Sequence, residues 1–241
     1  MNHKELITYS QPGSFVSESF RTLRANLQFL GAGDQMKTVM LAGDSFGEGA
    51  SFITANLAIV FAQAGMRVII VDSDLRKPRQ HLLFNVDNQH GLTSVLSGYK
   101  TPEDVLNKLS IGGVRLMTTG MLPSNPTELL GGSVMKQLIE HLKREADIVL
   151  FDAPPLTVVS DAAVLSKEVD GVLMVIRSRA GSYQNVQKAK EFLINAKARI
   201  MGVVLNSARV DEISEDYHTH YVEGAYKEKA IKKNEHKSGK K

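Results

Sequence analysis

The chemistry-bearing residues of this sequence gather at the ends of three short apolar runs. The first run, TVMLA, leads into GDSFGEGASFITANLA from Gly43, a glycine-bearing turn that opens a helix. Gly47 and Gly49 let backbone N–H groups point inward around a phosphate, and the N-terminus of the following helix adds its dipole. Glu48, Ala50, Ser51 and Phe52 complete the turn. In the form GxxxxGK(S/T) a lysine comes next, then a hydroxyl for magnesium. Here the order is Gly49, Ala50, Ser51, so the hydroxyl is kept and the lysine is gone. Taken alone, the glycines do no more than bend a strand into a helix.

The second and third runs change that. VIIVDSDLRKP spaces Asp72 and Asp74 two apart at a strand end, where both can approach a magnesium–phosphate group. IVLFDAPP adds Asp152 beside them. A single strand-end aspartate is commonly a helix cap, whereas three on one edge facing a glycine loop indicate a nucleotide site.

Positioning these side chains is the work of five continuous apolar runs: TVMLA, VIIVD, IVLFD, GVLMVI to Ile176 and GVVLN to Asn206. Continuous rather than alternating runs are strands covered on both faces of a parallel sheet. Helical patterns lie between most of them, from Ser51, Ser133 and Ser182, so the expected fold is a doubly wound α/β sheet. Asp72, Asp152 and Asn206 end their strands and converge on the carboxyl edge, where open parallel sheets bind ligands. SFVSESFRTLRANLQFL from Ser14 is an amphipathic helix beginning after Pro12 and Gly13, and SNPTELLGGS is a loop leading into a helix through Pro126.

With 241 residues, 43% of them hydrophobic, the chain can bury the core of one α/β domain. No apolar run approaches the roughly 18 to 20 residues of a membrane span, and the first residues lack a signal peptide's basic-then-apolar order, so a cytoplasmic protein is expected. The absence of cysteine excludes disulfides and thiolate metal sites, and the seven histidines show no zinc-ligand spacing. Residues 227–241 hold seven lysines against Glu228 and Glu235, which puts +5 on the tail and about −2 on the rest of a chain of net +3. Such an end is expected to be solvated and disordered, and no stacking aromatics are interleaved to suit nucleic acid.

In order and spacing, GDSFGEGAS, VDSDLRKP and FDAPPLTVVSDA resemble the Walker A, A′ and B motifs of the bacterial tyrosine kinases of capsule and exopolysaccharide systems. The resemblance runs from about residue 15 to 207, and Glu18, Arg21 and Arg24 match that family's ExxRxxR oligomerisation helix. It implies a mainly parallel P-loop NTPase fold with three parts: an N-terminal arm and oligomerisation helix over 1–35, a kinase domain over 36–207, and a basic tail over 208–241. It also implies an ATP- and Mg²⁺-dependent kinase that autophosphorylates tail tyrosines between subunits. A membrane chain-length-regulator adaptor would recruit it to the inner face of the plasma membrane. By analogy Asp72 takes the tyrosine proton, Asp74 and Asp152 organise Mg²⁺, Ser51 ligates it, and Asn206 contacts adenine. Tyr217, Tyr221 and Tyr226 are the candidate acceptors, a sparser set than the family's dense cluster.

Three departures cluster in the loop: Phe46 for the family's usual proline, Ala50 for lysine, and Phe52 for a small hydroxyl residue. Losing the lysine removes positive charge from the γ-phosphate oxygens, so nucleotide binding is expected to survive better than turnover. Lys77 or Arg76 could supply a substitute charge. Two alternatives stand beside the kinase: a nucleotide-binding pseudokinase acting as a regulatory subunit, and a partitioning-type deviant Walker ATPase.

Overall fold

The computed structural model describes residues 5–31, 36–179 and 182–209. In chain order, α1 (Ile7–Ser10) and α2 (Phe15–Gly31) precede β1 (Thr38–Gly43), α3 (Ala50–Gln63), β2 (Val68–Asp72) and α4 (Gln80–Phe84). Short helices α5 (Leu92–Leu96) and α6 (Pro102–Val105) lead into β3 (Leu106–Lys108) and β4 (Val114–Met117), and α7 (Pro126–Leu130) and α8 (Ser133–Glu145) follow. The remainder is β5 (Ile148–Asp152), α9 (Asp161–Leu165), β6 (Gly171–Arg177), α10 (Tyr183–Asn195) and β7 (Ile200–Asn206).

The strands form one sheet in the order β3-β4-β2-β5-β1-β6-β7, parallel except where β3 pairs antiparallel with β4. All five strands expected from the sequence are present, and the architecture is the doubly wound one. β3 and β4 are additions. Arg115 interrupts the apolar character of β4, and β3 is only LNK, so neither stands out as a hydrophobic run.

Alternate residues of a strand point to opposite faces, which decides where the carboxylates go. Val68, Ile70, Ile148 and Leu150 belong to the core under α3, while Ile69, Val71, Val149 and Phe151 belong to the core on the other face, under α8. Continuing each alternation by one residue puts Asp72 and Asp152 on the α3 face. Both strands are fully buried along their length, which is why their sequences are apolar at every position.

α3 is apolar around most of its circumference, and Ile53 to Phe61 are all buried between the sheet and α2. α2 packs on it through Phe20 and Leu27, and Arg24 Nη1 donates to the Val60 carbonyl (2.9 Å). The segment before α2 is held to α3 as well. Asn56 Oδ1 accepts from the Thr8 N–H (3.0 Å), Asn56 Nδ2 donates to the Glu5 carbonyl (2.9 Å), and Gln63 Nε2 donates to the Thr8 carbonyl (3.0 Å). These bonds bring Glu5 to the mouth of the cavity described next.

Candidate functional site

Between β1 and α3 the loop turns through two left-handed residues, Gly47 (φ +84°) and Gly49 (φ +90°). A side chain at Gly49 would also collide with the Asn206 amide, so glycine is required there on both counts. Asn206 Nδ2 donates to the Glu48 carbonyl (2.7 Å). Glu48 folds its carboxylate inward, accepting from Ser45 Oγ (3.1 Å) and from the Arg177 N–H at the end of β6. The loop is thus held open from behind by the ends of β6 and β7.

Asp72 and Asp152 are direct register partners on the adjacent strands β2 and β5, and both are buried. Asp72 Oδ2 accepts from the Arg79 and Gln80 N–H groups (3.0 and 2.9 Å) at the start of α4. Asp152 Oδ2 accepts from Gln80 Nε2 (2.8 Å), which also donates to the Ser51 carbonyl (3.0 Å). Burial, and then the charge of Asp152, push the Asp72 carboxyl well above its usual range. Burial pushes Asp152 up to about 7, against the hydrogen bonds it receives from Gln80 and Ser51. The second oxygen of each, Asp72 Oδ1 and Asp152 Oδ1, is buried without a hydrogen-bond partner. Two ionised carboxylates this close in a dry setting need a cation or a proton.

Next to these strand ends lies an open cavity of about 830 Å³, a volume suited to a nucleotide. Every residue from Gly47 to Phe52 lines it, as do Asp74, Lys77 and Arg79. Asp72, Asp152 and Asn206 are not among its lining residues, although their neighbours Asp74, Ala153 and Gly49 are. The Asn206 amide therefore also shapes the loop through its bond to the Glu48 carbonyl. Asp74 Oδ1 caps its own turn, accepting from the Arg76 and Lys77 N–H groups (3.1 and 2.9 Å).

A divalent metal fits this donor set. Ser51, Asp74 and Asp152 offer only oxygen, the choice of a hard cation, and the buried Asp152 Oδ1 lacks a partner. No cluster of three or more acidic, histidine or cysteine side chains among the described residues could hold an ion unaided. A few protein oxygens completed by phosphate oxygens is the arrangement Mg²⁺ adopts with nucleotides.

Residues 36–238 match the family model described as ParA, NUBPL iron-transfer P-loop NTPase. Tyrosine-protein kinase YwqD of Bacillus subtilis is 38% identical over 212 residues, which cover 88% of this chain and 90% of that protein. The chain belongs to the bacterial tyrosine-kinase family. The putative tyrosine-protein kinase CapB of Staphylococcus aureus is 32% identical over 88% of this chain and 93% of its own length. Among solved structures, the chimerical protein CapA2B2 superposes with a TM-score of 0.81 at 37% identity, covering 85% of this chain and 90% of that one. The kinase domain of Escherichia coli ETK gives 0.80 at 32%, covering 85% and 82%. The septum-site protein MinD of Pyrococcus horikoshii, at 20% identity and a TM-score of 0.61, shares the fold alone. Nucleotide binding with a divalent metal is general to this fold and its kinases.

Within this kinase fold several structural residues escaped the sequence. Gln80 bridges Asp152 and Ser51, and nothing in PRQHLLF marks it as more than a helix-start residue. Arg76 makes a two-point ion pair with Asp161 (2.7 and 3.1 Å), which also accepts from Thr127 Oγ1 (2.5 Å). This clamp explains the SNPTELL stretch: it ties α7 and α9 to the turn that carries Asp74. Burial alone would raise the Asp161 carboxyl, but Arg76 and Thr127 hold it below its usual range. Glu18 and Arg21 pair within α2 (2.6 Å), and Arg21 Nη2 donates to the Pro12 carbonyl (2.5 Å), so with Arg24 all three side chains contact their own chain. Tyr217, Tyr221 and Tyr226 lie outside the described residues.

Proposed function

We propose that this chain is an ATP- and Mg²⁺-dependent protein-tyrosine kinase of capsular or exopolysaccharide biosynthesis, slowed by Ala50. The observation that supports it best is a nucleotide-sized, glycine-walled cavity lined by Ser51 and Asp74, with the paired carboxylates Asp72 and Asp152 on the neighbouring strand ends. Ser51, Asp74 and Asp152 would hold the metal, which supplies positive charge to the phosphate oxygens when bound. Backbone N–H groups of Gly47 to Ser51 orient the phosphates and exclude water from them. Asp72 takes the phenolic proton as the tyrosine oxygen bonds to the γ-phosphorus and the bond to the departing ADP oxygen breaks. Its fixed oxygen holds the carboxyl in place, and its unpartnered oxygen receives the proton.

The acceptors in this reading are Tyr217, Tyr221 and Tyr226 of a neighbouring copy, brought close by an oligomer built through Glu18, Arg21 and Arg24. Chain 36–207 then acts as the kinase domain and 208–241 as the acceptor tail. No helix among the described residues is long and apolar enough to cross a membrane, and placement at the inner face of the plasma membrane falls to a chain-length-regulator adaptor.

Incubating purified protein with Mg²⁺ and ATP and probing for phosphotyrosine tests this. Slow labelling is expected from the natural chain, none from Asp72→Asn, and labelling about 10² to 10³ faster from Ala50→Lys. Signal from Ala50→Lys alone would establish the second reading, a nucleotide-binding regulatory subunit, which the missing lysine favours.

A further inference from the structure

The loop departures Phe46 and Ala50 are joined in space by a third residue. Lys77 lies on the same cavity wall as both, and its Nζ stands 4.5 Å from the centre of the Phe46 ring. The geometry points to Lys77 as the relocated phosphate-binding cation of this site, perched on Phe46 and standing in for the lysine that Ala50 replaces. This rests on the nucleotide-site reading above and deepens it.

A triphosphate needs such a charge here. Glu5, Glu48 and Asp74 line the cavity, so its wall is rich in acidic groups. Three basic residues follow the aspartate pair, and one of them, Arg76, is committed elsewhere. The Arg76 guanidinium is locked to the buried Asp161. Arg79 also lines the cavity, but the aromatic contact belongs to Lys77. Lys77 makes no ion pair among the described residues; its backbone N–H is fixed on Asp74 while its side chain reaches over the loop.

The perch has the right strength for this purpose. An exposed ammonium over a phenylalanine ring gains well under the energy of a charge-assisted bond to phosphate, so Phe46 holds Lys77 ready without competing for it. Lysine suits the task better than arginine because its ammonium is a point charge on a flexible four-carbon stem. Phenylalanine at position 46 and alanine at position 50 are then linked: Lys77 in the turn after β2 supplies the cation missing from the start of α3, and Phe46 gives it an aromatic surface.

The test is a double-mutant cycle. Mg²⁺–ATP affinity by calorimetry and phosphotyrosine formation would be measured for the natural chain, Lys77→Met, Lys77→Arg, Ala50→Lys and the Ala50→Lys/Lys77→Met pair. Lys77→Met is expected to weaken Mg²⁺–ATP about 10- to 100-fold and to slow labelling by at least as much. Lys77→Arg should retain most of the affinity, and Ala50→Lys should make the Lys77→Met change nearly silent. Thermal melting should stay unchanged, because Lys77 is exposed. A Lys77→Met protein that binds Mg²⁺–ATP as tightly as the natural chain overturns the inference while leaving the nucleotide site intact, and an unaffected Lys77→Met with a crippled Arg79→Met moves the role to Arg79. Absence of any Mg²⁺–ATP binding by the natural chain at millimolar ligand overturns both this inference and the kinase reading.

Discussion

Replacing Asp152 with asparagine should flatten the dependence of stability on pH. Asp152 is buried, and its carboxyl is pushed from an ordinary 3.8 up to about 7. A group whose folded value is raised stabilises the fold fully below its unfolded value, and that contribution is lost as pH rises through the folded value. Between about pH 5.5 and pH 8 the loss amounts to about 2 kcal/mol for Asp152 alone. In a domain of this size that is about 4–8 °C in Tm. Asp72, raised by burial and by Asp152, acts in the same direction. His81 opposes both: burial lowers its imidazole, so its contribution is lost as pH falls. Subtracting the Asp152→Asn curve from that of the natural chain cancels His81 and isolates the carboxylate. Scanning fluorimetry of ligand-free protein from pH 5.5 to 8 should show the natural chain losing several degrees relative to the variant, with Mg²⁺–ATP restoring more at pH 8 than at pH 5.5. Parallel curves for the two proteins would refute the reasoning.

Gly49→Ala should cost about 1–3 kcal/mol by denaturant unfolding, because it forces alanine into φ +90° against Asn206, and should weaken nucleotide binding more than tenfold. Gln80→Leu removes the donor shared by Asp152 and the Ser51 carbonyl and should cost about 1–3 kcal/mol in the same assay, with labelling lowered alongside. Asp161→Asn should cost a similar amount, about 1–3 kcal/mol, by loosening the Arg76 clamp. Since the Asp161 carboxyl is held below its ordinary value, the natural chain's advantage should be present at neutral pH and fade under acid. Charge reversal at Glu18 should reduce the native mass of the assembly without lowering Tm, its side chain being half-exposed on α2.

What could be read from the chain, and what could not, divides along physical lines. VIIVD and IVLFD are apolar at every position because both faces are covered, and that pattern announces a parallel sheet with its acids at the carboxyl edge. Gly47 and Gly49 were legible as the turn that bends β1 into α3, and both take positive φ there. β4 stayed hidden because Arg115 breaks its run while pairing with Glu145. Gln80 stayed hidden because a buried bridging amide has no local sequence signal; only the close approach of α4 to β5 gives it two acceptors. The bond from the Asn206 amide to the Glu48 carbonyl stayed hidden because it depends on the register of β7 against β6. Arg76 and Lys77 were indistinguishable as substitute cations until Asp161, eighty-five residues away from Arg76, was seen to occupy one of them.

Titration calorimetry of Mg²⁺–ATP into the ligand-free chain, beside Asp152→Asn and the same titration in chelator, reaches the cavity and the neighbouring carboxylate pair most directly. One site per chain is expected, weakened about 10²-fold or more by chelator or by the substitution. No heat at millimolar nucleotide, or equal binding by all three, would contradict it.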